Sequence, residues 1–219
     1  MRLHVVKADI TQLAVAAIVN AANTHMLGGG GVDGAIHRAA GPLLRQHNEK
    51  LPVLGQCSDT GENIRLRTGE AIIAPSFALR SRGIQHIIST AGPIYEEYTR
   101  PEACKLLADC YRNAFIAADK LDCSAGAFPA ISCGVYGFPF APAARIAVST
   151  LFATSMLRAD WAVDDVYIAL GGPDADRLVS CYKTAIRTVG AAFTRFGESV
   201  VPAMRASIEG VVIDTNGSN

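Results

Sequence analysis

The sequence predicts one α/β layered domain, and three observations support this prediction. Apolar runs rich in β-branched residues alternate along the chain with runs of helical periodicity, which is typical of a sheet covered by helices. Half of the 219 residues are hydrophobic, 18% are charged and the mean hydropathy is +0.23, so the chain can bury a large core. The length suits one domain, and no internal repeat, low-complexity tract or linker divides it.

The individual elements follow from local patterns. Short apolar runs predict strands at residues 3–7, 16–20, 71–74, 86–90, 126–132 and 166–170. Helices are predicted at residues 34–48, 102–120, 142–157 and 174–188. The helix at 102–120 is the clearest, because its apolar residues recur at intervals of three and four, and Pro142 stands in the first turn of the next helix, where proline is tolerated. We expect residues 1–190 to form the domain and residues 191–219 to be an extension packed in part on it, with a short helix near Met204.

The apolar run near the N-terminus is predicted to be a buried strand. Residues 13–19 (LAVAAIV) resemble a signal peptide or a membrane span in composition. However, Asn20, Asn23 and four glycines interrupt the apolar stretch well before the roughly 18 residues that a span requires. Asp9 also lies where a signal peptide is free of acidic residues. We therefore expect no membrane association.

The charges and the cysteines exclude several classes of protein. Lys plus Arg and Asp plus Glu both number 20, so no basic excess predicts nucleic-acid binding, and an anionic ligand must be held by backbone dipoles or a few local charges. The six cysteines form no C-x-x-C pair and no zinc-finger spacing. We therefore predict reduced thiols, a cytoplasmic location, no metal and no cofactor.

The most informative segment is NAANTHMLGGGGVDGAIH at residues 20–37, which contains Gly28, Gly29, Gly30 and Gly31 in succession. Ordering such a run costs much chain entropy, so it is expected where the backbone approaches a ligand closely or adopts positive φ. The run leads into a predicted helix, whose free N–H groups and positive dipole end suit an anion. The alternative is a flexible surface loop.

Four polar side chains flank this first glycine loop. Asp33 and His37 are four residues apart and so share one face of the predicted helix. Capping and the helix dipole favour the carboxylate form of Asp33, which could then activate a water; the alternative is a plain N-cap. His37 is either part of this site or a hydrogen-bonded core residue. Asn20 and Asn23, at a predicted strand end, either cap a turn or bind a ligand hydroxyl.

The glycines match neither of two common nucleotide-binding motifs. Gly29, Gly31 and Gly34 fit G-x-G-x-x-G, but they begin about eight residues after the predicted strand, and no strand ending in an acid follows at the required distance. No G-K dipeptide is present, which excludes a P-loop.

A second glycine loop, SCGVYGF at residues 132–138, also follows a β-like run and precedes a predicted helix. Two such loops in one chain predict a crevice at the carboxyl ends of neighbouring strands, with the phosphates of an extended ligand in the middle. Tyr136 and Phe138 could flank a sugar ring; the alternative is that both anchor the loop in the core.

Six segments together resemble the macrodomain family, and within it the hydrolytic, MacroD-type branch that includes bacterial O-acetyl-ADP-ribose deacetylases. They occur in the family's order, cover about residues 3–190 and read ADIT (8–11), IVNAAN (18–23), LGGGGVDGAIHRAAGP (27–42), TGEAIIAPSFAL (68–79), HIISTAGPIY (86–95) and FPAISCGVYGFP (128–139). The resemblance implies a three-layer α/β/α fold with a mixed central β-sheet and an ADP-ribose cleft above it.

The resemblance also implies roles for single residues. Asp9 binds the adenine amino group with the Ile10 backbone beside it, and Asn23 and Asp33 hold the distal ribose and the attacking water, which a ligand phosphate helps to activate. His37 orients Asp33, and Tyr136 closes over the sugar. The implied catalytic residues are thus Asn23, Asp33, His37 and Tyr136. The implied ADP-ribose contacts are Asp9, Ile10, Asn20, Gly28, Gly29, Gly30, Gly31, Val32, Ser132, Cys133, Gly134, Val135, Tyr136 and Phe138.

Three features depart from the family pattern. Ala8 stands where the family usually has glycine, which is tolerable unless φ is positive there. Residues 58–67 are an insertion, predicted to be a surface excursion because loop lengthening costs little. Residues 170–173 (LGGP) replace an acid-rich segment, which leaves the contacts on that side of adenine open.

The residues favour a hydrolase over a binding module. We expect a metal-independent enzyme that removes acyl groups from O-acetyl-ADP-ribose and mono-ADP-ribose from protein Asp or Glu esters. A non-catalytic reader of ADP-ribose needs only Asp9 and the loops, whereas turnover also needs Asn23 and Asp33, which are both present. A third alternative is a phosphatase acting on ADP-ribose 1″-phosphate. The expected partners are ADP-ribose, O-acyl-ADP-ribose and mono-ADP-ribosylated proteins, and the chain is expected to be a monomer.

Overall fold

A computed structural model describes residues 1–157 and 159–200, with residues 193–200 as backbone only. Within these residues, a six-stranded sheet forms the middle layer in the order β1-β8-β7-β2-β6-β5. The first five of these strands run parallel, and the edge strand β5 is antiparallel to β6. The strands of this sheet are β1 (Arg2–Val6), β2 (Ala17–Ala22), β5 (Ala71–Pro75), β6 (His86–Ala91), β7 (Ala125–Phe128) and β8 (Asp165–Ala169).

Helices cover both faces of the sheet. They are α1 (Gly31–Ala40), α2 (Pro42–Glu49), α3 (Arg100–Asp119), α4 (Phe140–Ser155) and α5 (Ala175–Val200), with short 3-10 turns at Ile10–Gln12, Phe77–Arg82 and Tyr95–Glu97. Alternate side chains of β2 serve the two cores: Ala17 and Val19 pack with α3, α4 and α5, whereas Ile18 packs with α1 and α2. The predicted three-layer α/β/α fold with a mixed sheet is therefore confirmed.

One predicted helix is in fact two. The prediction of a single helix at 34–48 is wrong, because the chain turns at Gly41, whose φ is +80°, and α2 begins afresh at Pro42. The first of the two helices also begins earlier than predicted, at Gly31, so Gly31, Val32 and Asp33 belong to its first turn. Because of this earlier start, Asp33 lies inside the helix and not before it.

The longest helices differ from prediction mainly at their ends. A capping box between Thr99 and Glu102 starts α3, with Pro101 in its first turn. Strand β7 ends at Phe128 and not at residue 132, because Pro129 follows it. Helix α5 continues through residue 190 to Val200. The boundary at 190 stays a prediction, and the short helix predicted near Met204 lies outside the described residues.

The insertion supplies the exposed turn and the second strand of a hairpin of β3 (Gly55–Gln56) and β4 (Asn63–Ile64), and β4 is half-buried. The hairpin is anchored to the turn that follows β2. The N–H groups of Arg65 and Leu66 donate to the Thr24 carbonyl at 2.9 and 3.1 Å, and His25 Nε2 lies 2.9 Å from Glu62 Oε2. Residues 58–62 are exposed, but Leu66 is 1% exposed and packs in a core cluster with Ala22, Met26 and Ala91. The prediction of a surface excursion therefore holds for the turn of the hairpin and is wrong at Leu66.

The parallel strands place five connections at one edge of the sheet. The chain leaves β1 towards Asp9, β2 towards the first glycine loop and β6 towards Gly92, all at the carboxyl edge. The second glycine loop follows β7, and the segment at 170–173 follows β8. This edge is where open α/β sheets bind ligands. In the described part of the chain, no helix is long and apolar enough to cross a membrane.

Candidate active site

The first glycine loop folds back against the start of α1. Gly28 and Gly31 have φ of +93° and +55°, as the prediction of positive φ requires, and Gly30 is the N-cap. A Cβ on Gly34 would lie 2.5 Å from the Gly29 carbonyl oxygen, so a larger residue there would push the loop off the helix. Asp33 stands in the first turn, and α1 has no side-chain cap, so the N-cap interpretation of Asp33 is wrong.

The Asp33 carboxylate is buried and partly unsatisfied. Asn20 Nδ2 donates to Asp33 Oδ1 at 2.7 Å, and the residue is 4% exposed. Asp33 Oδ2 has no hydrogen-bond partner among the described residues. A Cβ on Gly29 would lie 3.1 Å from this oxygen and 3.3 Å from Asn23 Nδ2, so Gly29 separates the two side chains. A buried carboxylate oxygen without a donor is costly in a folded protein and indicates an atom kept for a ligand or a water.

Burial raises the pKa of Asp33 above its usual value of 3.8, although the Asn20 hydrogen bond and the His37 charge oppose this change. The expectation that capping and the helix dipole favour the carboxylate is therefore outweighed by desolvation at this position. A raised pKa makes the carboxylate a stronger base, which suits proton transfer from water near neutral pH.

The hydrogen bond that orients Asp33 comes from Asn20 and not from His37. His37 Nε2 lies 3.5 Å from Asp33 Oδ1 and makes no hydrogen bond with any described residue. Burial lowers the pKa of His37, which favours the neutral imidazole. Asn20 is 1% exposed and makes the hydrogen bond that orients the carboxylate. The structure thus shows no hydrogen bond by which His37 would orient Asp33, and contact of the Asn20 side chain with a ligand stays a prediction.

Asn23 holds the turn that starts the loop. Its Nδ2 donates to the Gly28 carbonyl at 3.1 Å, and its Oδ1 accepts the Met26 N–H at 2.9 Å. The side chain is therefore fixed beside Gly29, across from Asp33. Val32, which follows the glycines, packs its side chain against the core on the α1 side, so it can offer a ligand only its backbone.

The second glycine loop presents backbone groups. Within the described residues, the N–H groups of Ser132, Gly134, Val135 and Tyr136 donate to no protein acceptor. Ser132 has a φ of +63°, which is strained for a residue with a Cβ, and its Oγ is buried without a partner. Consecutive free N–H groups on a strained turn form an anion-binding concavity.

The other side chains of this loop point in opposite directions. Val135 is 98% exposed. Cys133 is buried, and burial raises its pKa to about 12, so the thiol is not a nucleophile at neutral pH. Phe138 is 1% exposed and packs on Tyr95 with ring centroids 4.8 Å apart. The prediction that Phe138 flanks a sugar ring is therefore wrong, and the alternative that it anchors the loop is correct.

A buried tyrosine pair supports the base of the second loop. The Tyr111 hydroxyl donates to the Pro129 carbonyl at 2.9 Å and accepts the Ile131 N–H at 3.1 Å. It also lies 2.9 Å from the Tyr182 hydroxyl of α5. Because the Tyr111 proton is directed to Pro129, Tyr182 is the donor between the two rings. The Tyr111 oxygen is thus fully used in fixing the backbone just before Ser132.

Tyr136 lies in the second loop, next to the turn at Tyr95–Glu97. Burial raises the pKa of the Tyr136 phenol, and the Asp33 and Glu97 charges raise it further. The Tyr136 carbonyl accepts the Tyr95 N–H at 2.9 Å. The sequence interpretation missed Gly92, where a Cβ would overlap Ser132 Oγ and Ile131 Cγ2. A glycine–proline pair directly after a buried strand was the available signal.

Asp9 lies at the opposite end of the edge. It is exposed, and its Oδ1 accepts the N–H and the hydroxyl of Thr11, both at 2.9 Å, while Ile10 is 4% exposed. Ala8 does not have positive φ, so alanine is tolerated there, and its carbonyl lies 3.4 Å from the position of a Cβ on Gly171. Three strand spacings, about 14 Å, separate β1 from β2. The edge is therefore long enough for an extended ligand.

The described residues contain no group of three or more His, Cys, Asp or Glu side chains that could hold a metal ion. All six cysteines are free thiols. The groups available for chemistry are thus one buried carboxylate, one amide, one phenol and two sets of backbone N–H groups.

Comparison with known proteins gives a family match, two relatives and one solved structure. The Macro domain family model matches residues 19–147. A macro domain-containing protein of Xanthomonas campestris is 48% identical over 151 residues, which are 68% of this chain and 78% of that protein. A Salmonella newport protein named O-acetyl-ADP-ribose deacetylase is 46% identical over 157 residues, 68% of this chain and 77% of its own. A variant of the Oceanobacillus iheyensis macrodomain solved with ADP-ribose is 38% identical with a TM-score of 0.69, covering 85% of this chain and 92% of that one.

Proposed function

The chain belongs to the macrodomain family, and we propose that it binds ADP-ribose along the carboxyl edge of its sheet and hydrolyses esters of the distal ribose. The observation that carries this proposal is the buried Asp33 carboxylate. Its Oδ2 has no partner among the described residues, and both this oxygen and Asn23 Nδ2 face the open Cβ position of Gly29. A non-catalytic reader has no need of a buried, destabilising carboxylate at this position.

Binding is assigned to three places along the edge. Asp9 at β1 would accept a hydrogen bond from the adenine amino group through its second oxygen, since its first oxygen is used by Thr11. The free N–H groups of the second loop, between β1 and β2 in the sheet order, would hold the diphosphate. Asn23 and the first glycine loop would then receive the distal ribose. The names of the deacetylase relative and the ADP-ribose complex support this assignment.

Hydrolysis would proceed by direct attack of water on the acyl carbon. Asp33 accepts a proton as the water oxygen bonds to that carbon, and the carbonyl becomes an oxyanion. The N–H groups of the first turn of α1 stabilise the negative charge. When the carbon–oxygen bond to ribose breaks, the proton on Asp33 passes to the departing ribose oxygen, so the carboxylate is regenerated. We assign to Tyr136 the role of covering the sugar. His37, whose pKa is lowered by burial, lies with its Nε2 3.5 Å from Asp33 Oδ1.

The specific substrates that we propose are the acetyl ester of ADP-ribose and the mono-ADP-ribosyl esters of protein Asp or Glu. Because both contain an acyl ester of the distal ribose, the same water attack serves both. A phosphatase acting on ADP-ribose 1″-phosphate would need a donor set aimed at a second phosphate near Asn23, where an unsatisfied carboxylate oxygen would repel it. The monomeric state and the cytoplasmic location stay predictions.

Three substrates and one variant test the proposal. Wild-type protein and Asp33→Ala are assayed on O-acetyl-ADP-ribose, on a Glu-ADP-ribosyl peptide and on ADP-ribose 1″-phosphate, and ADP-ribose affinity is measured by calorimetry. We expect turnover of both esters by the wild type, with a much larger loss of turnover than of affinity in Asp33→Ala. Tight ADP-ribose binding by a wild type that turns over no ester would leave only the reader function.

A further inference from the structure

A basic cavity lies between the first glycine loop and helices α1 and α2, and Asn23 is not among its lining residues. Its volume is about 440 Å³, and its lining includes the backbone of Gly28 and Gly29 and the side chains of His37, Arg38 and Arg45. No Asp or Glu lines it. Two guanidinium groups without a carboxylate in the wall make the cavity electropositive, although the whole chain is neutral.

The two guanidinium groups are available to a ligand. Arg38 is exposed and makes no ion pair with any residue in the described ranges, and its Nη1 lies 3.1 Å from the position of a Cβ on Gly34. Arg45 Nε lies 3.1 Å from Glu49 Oε1, but these side chains are 59% and 47% exposed. An exposed pair of this kind contributes little and is readily exchanged for another carboxylate. Arg45 Nη1 also donates to the Leu27 carbonyl at 3.4 Å, which holds the guanidinium near the loop.

The cavity shares a wall with the buried carboxylate. Gly29 lines the cavity, and a Cβ on the same residue would lie 3.1 Å from Asp33 Oδ2. His37 also lines the cavity, with its Nε2 3.5 Å from Asp33 Oδ1. The backbone of Gly29 therefore lies between Asp33 Oδ2, where the reaction is proposed, and the cavity, whose volume is far larger than that of an acetyl group.

We propose that this cavity binds the carboxylate side chains of an acidic peptide segment next to the ester-linked Asp or Glu of a protein substrate. The inference rests on the proposed function, because it names the part of the substrate that lies beyond the ribose. Arginine pairs with carboxylates through two parallel hydrogen bonds, so Arg38 and Arg45 would select acidic over neutral segments. The small ester O-acetyl-ADP-ribose does not extend into the cavity.

The test compares three substrates in one double variant. Arg38→Gln with Arg45→Gln is assayed on a Glu-ADP-ribosyl peptide with flanking glutamates, on the same peptide with flanking glutamines, and on O-acetyl-ADP-ribose. We expect KM for the acidic peptide to rise about tenfold and its salt dependence to weaken, whereas the other two substrates change less than about twofold. The control is Arg112→Gln with Arg187→Gln, which removes the same charge from α3 and α5 and should leave all three substrates unchanged.

A binding measurement separates failure of this inference from failure of the proposed function. The unmodified glutamate-rich peptide is titrated into ¹⁵N-labelled wild type holding ADP-ribose, and the side-chain Nε–H resonances of Arg38 and Arg45 are followed. Shifts of both resonances, absent with the glutamine peptide, support the acidic site even if no ester is turned over. Unshifted resonances, or an equal rise of KM for all substrates in the double variant, would overturn it.

Discussion

The two glycine loops follow neighbouring parallel strands, β2 and β7, but are built differently. The first surrounds a buried charge: Asn20, Asp33 and His37 lie beneath it, and each has a buried polar atom without a partner among the described residues. The second carries its free donors on the backbone, with a strained Ser132 at its base and Val135 exposed at its tip. The first loop, where bond breaking is proposed, therefore contains buried polar side chains that lower the stability of the fold. The second loop, where only binding is proposed, uses backbone N–H groups.

Asp33→Asn should have the largest effect, because it removes the base and keeps the shape. We expect kcat to fall about 10²- to 10⁴-fold while the Kd for ADP-ribose changes less than about threefold. Ester assays and calorimetry on the same sample provide the measurement. Equal losses of turnover and affinity would contradict the assignment of bond breaking to the first loop and of ligand binding to the second.

The same variant should also be more stable than the wild type at pH 7. Since the pKa of Asp33 is raised on folding, the folded protein binds this proton more tightly than the unfolded chain, and the carboxylate destabilises the fold above that pKa. Asp33→Asn removes this cost, on the order of 1 kcal/mol. The difference in free energy of unfolding should disappear as the pH falls below the usual pKa of 3.8, because both wild-type states are then protonated. Urea denaturation at several pH values tests this.

Gly92→Ala should weaken binding without touching Asp33. The added Cβ overlaps Ser132 Oγ and Ile131 Cγ2, so the second loop must move, and we expect ADP-ribose affinity to fall about 10- to 100-fold. Gly126→Ala is the matched control in the strand that leads to this loop, since its Cβ would have nothing nearer than 3.6 Å. Similar affinities for the two variants would show that the second loop does not hold the ligand.

Asn20→Ala should change the pH dependence of turnover. Its hydrogen bond lowers the pKa of Asp33, so without it that pKa rises and the acid limb of kcat/KM moves to higher pH. We expect about a tenfold loss at neutral pH that shrinks at alkaline pH. Asn113→Ala is the control. It removes an amide of the same kind on α3, which donates to the Gly69 carbonyl at 2.8 Å and not to Asp33. An unshifted limb would mean that Asn20 does not act through Asp33.

Asp9→Ala should have the smallest effect. Loss of one exposed hydrogen-bond acceptor at the adenine end should weaken ADP-ribose binding about fivefold and leave kcat unchanged. Thr11→Val serves as a control, because it removes the hydroxyl that bonds to Asp9 but keeps the carboxylate. Calorimetry on both variants decides whether the contact or the local turn matters.

The layered fold and the two loops were predictable because they depend on patterns that are local in the chain. Alternating apolar runs identified all six strands of the main sheet, and glycine runs identified the places of positive φ at Gly28 and Gly31. The break at Gly41 was missed because helical periodicity continues across it, although the following Pro42 was a visible stop signal.

What could not be predicted depends on contacts between distant segments. Asn20 and not His37 orients Asp33, because β2 and the start of α1 pack closely enough for a 2.7 Å hydrogen bond. The direction of the Asp33 pKa was misjudged, since burial is a property of the packed site and the helix dipole is a property of the local chain. The sequence suggested Phe138 as a ligand contact, but its ring packs against that of Tyr95, which is distant in the chain.

The tyrosine pair under the second loop connects α5, the last described helix, to the backbone that is proposed to bind the diphosphate. Tyr182 supplies the proton that completes the hydrogen bonding of Tyr111, and Tyr111 fixes the peptide groups on either side of Ala130. Shortening the chain upstream of Tyr182 would therefore leave a buried phenol oxygen short of one donor, directly beneath the diphosphate position. Deuterium exchange at α5 should in turn slow when the nucleotide is added, so the last described helix would report occupancy of the second loop through Tyr182.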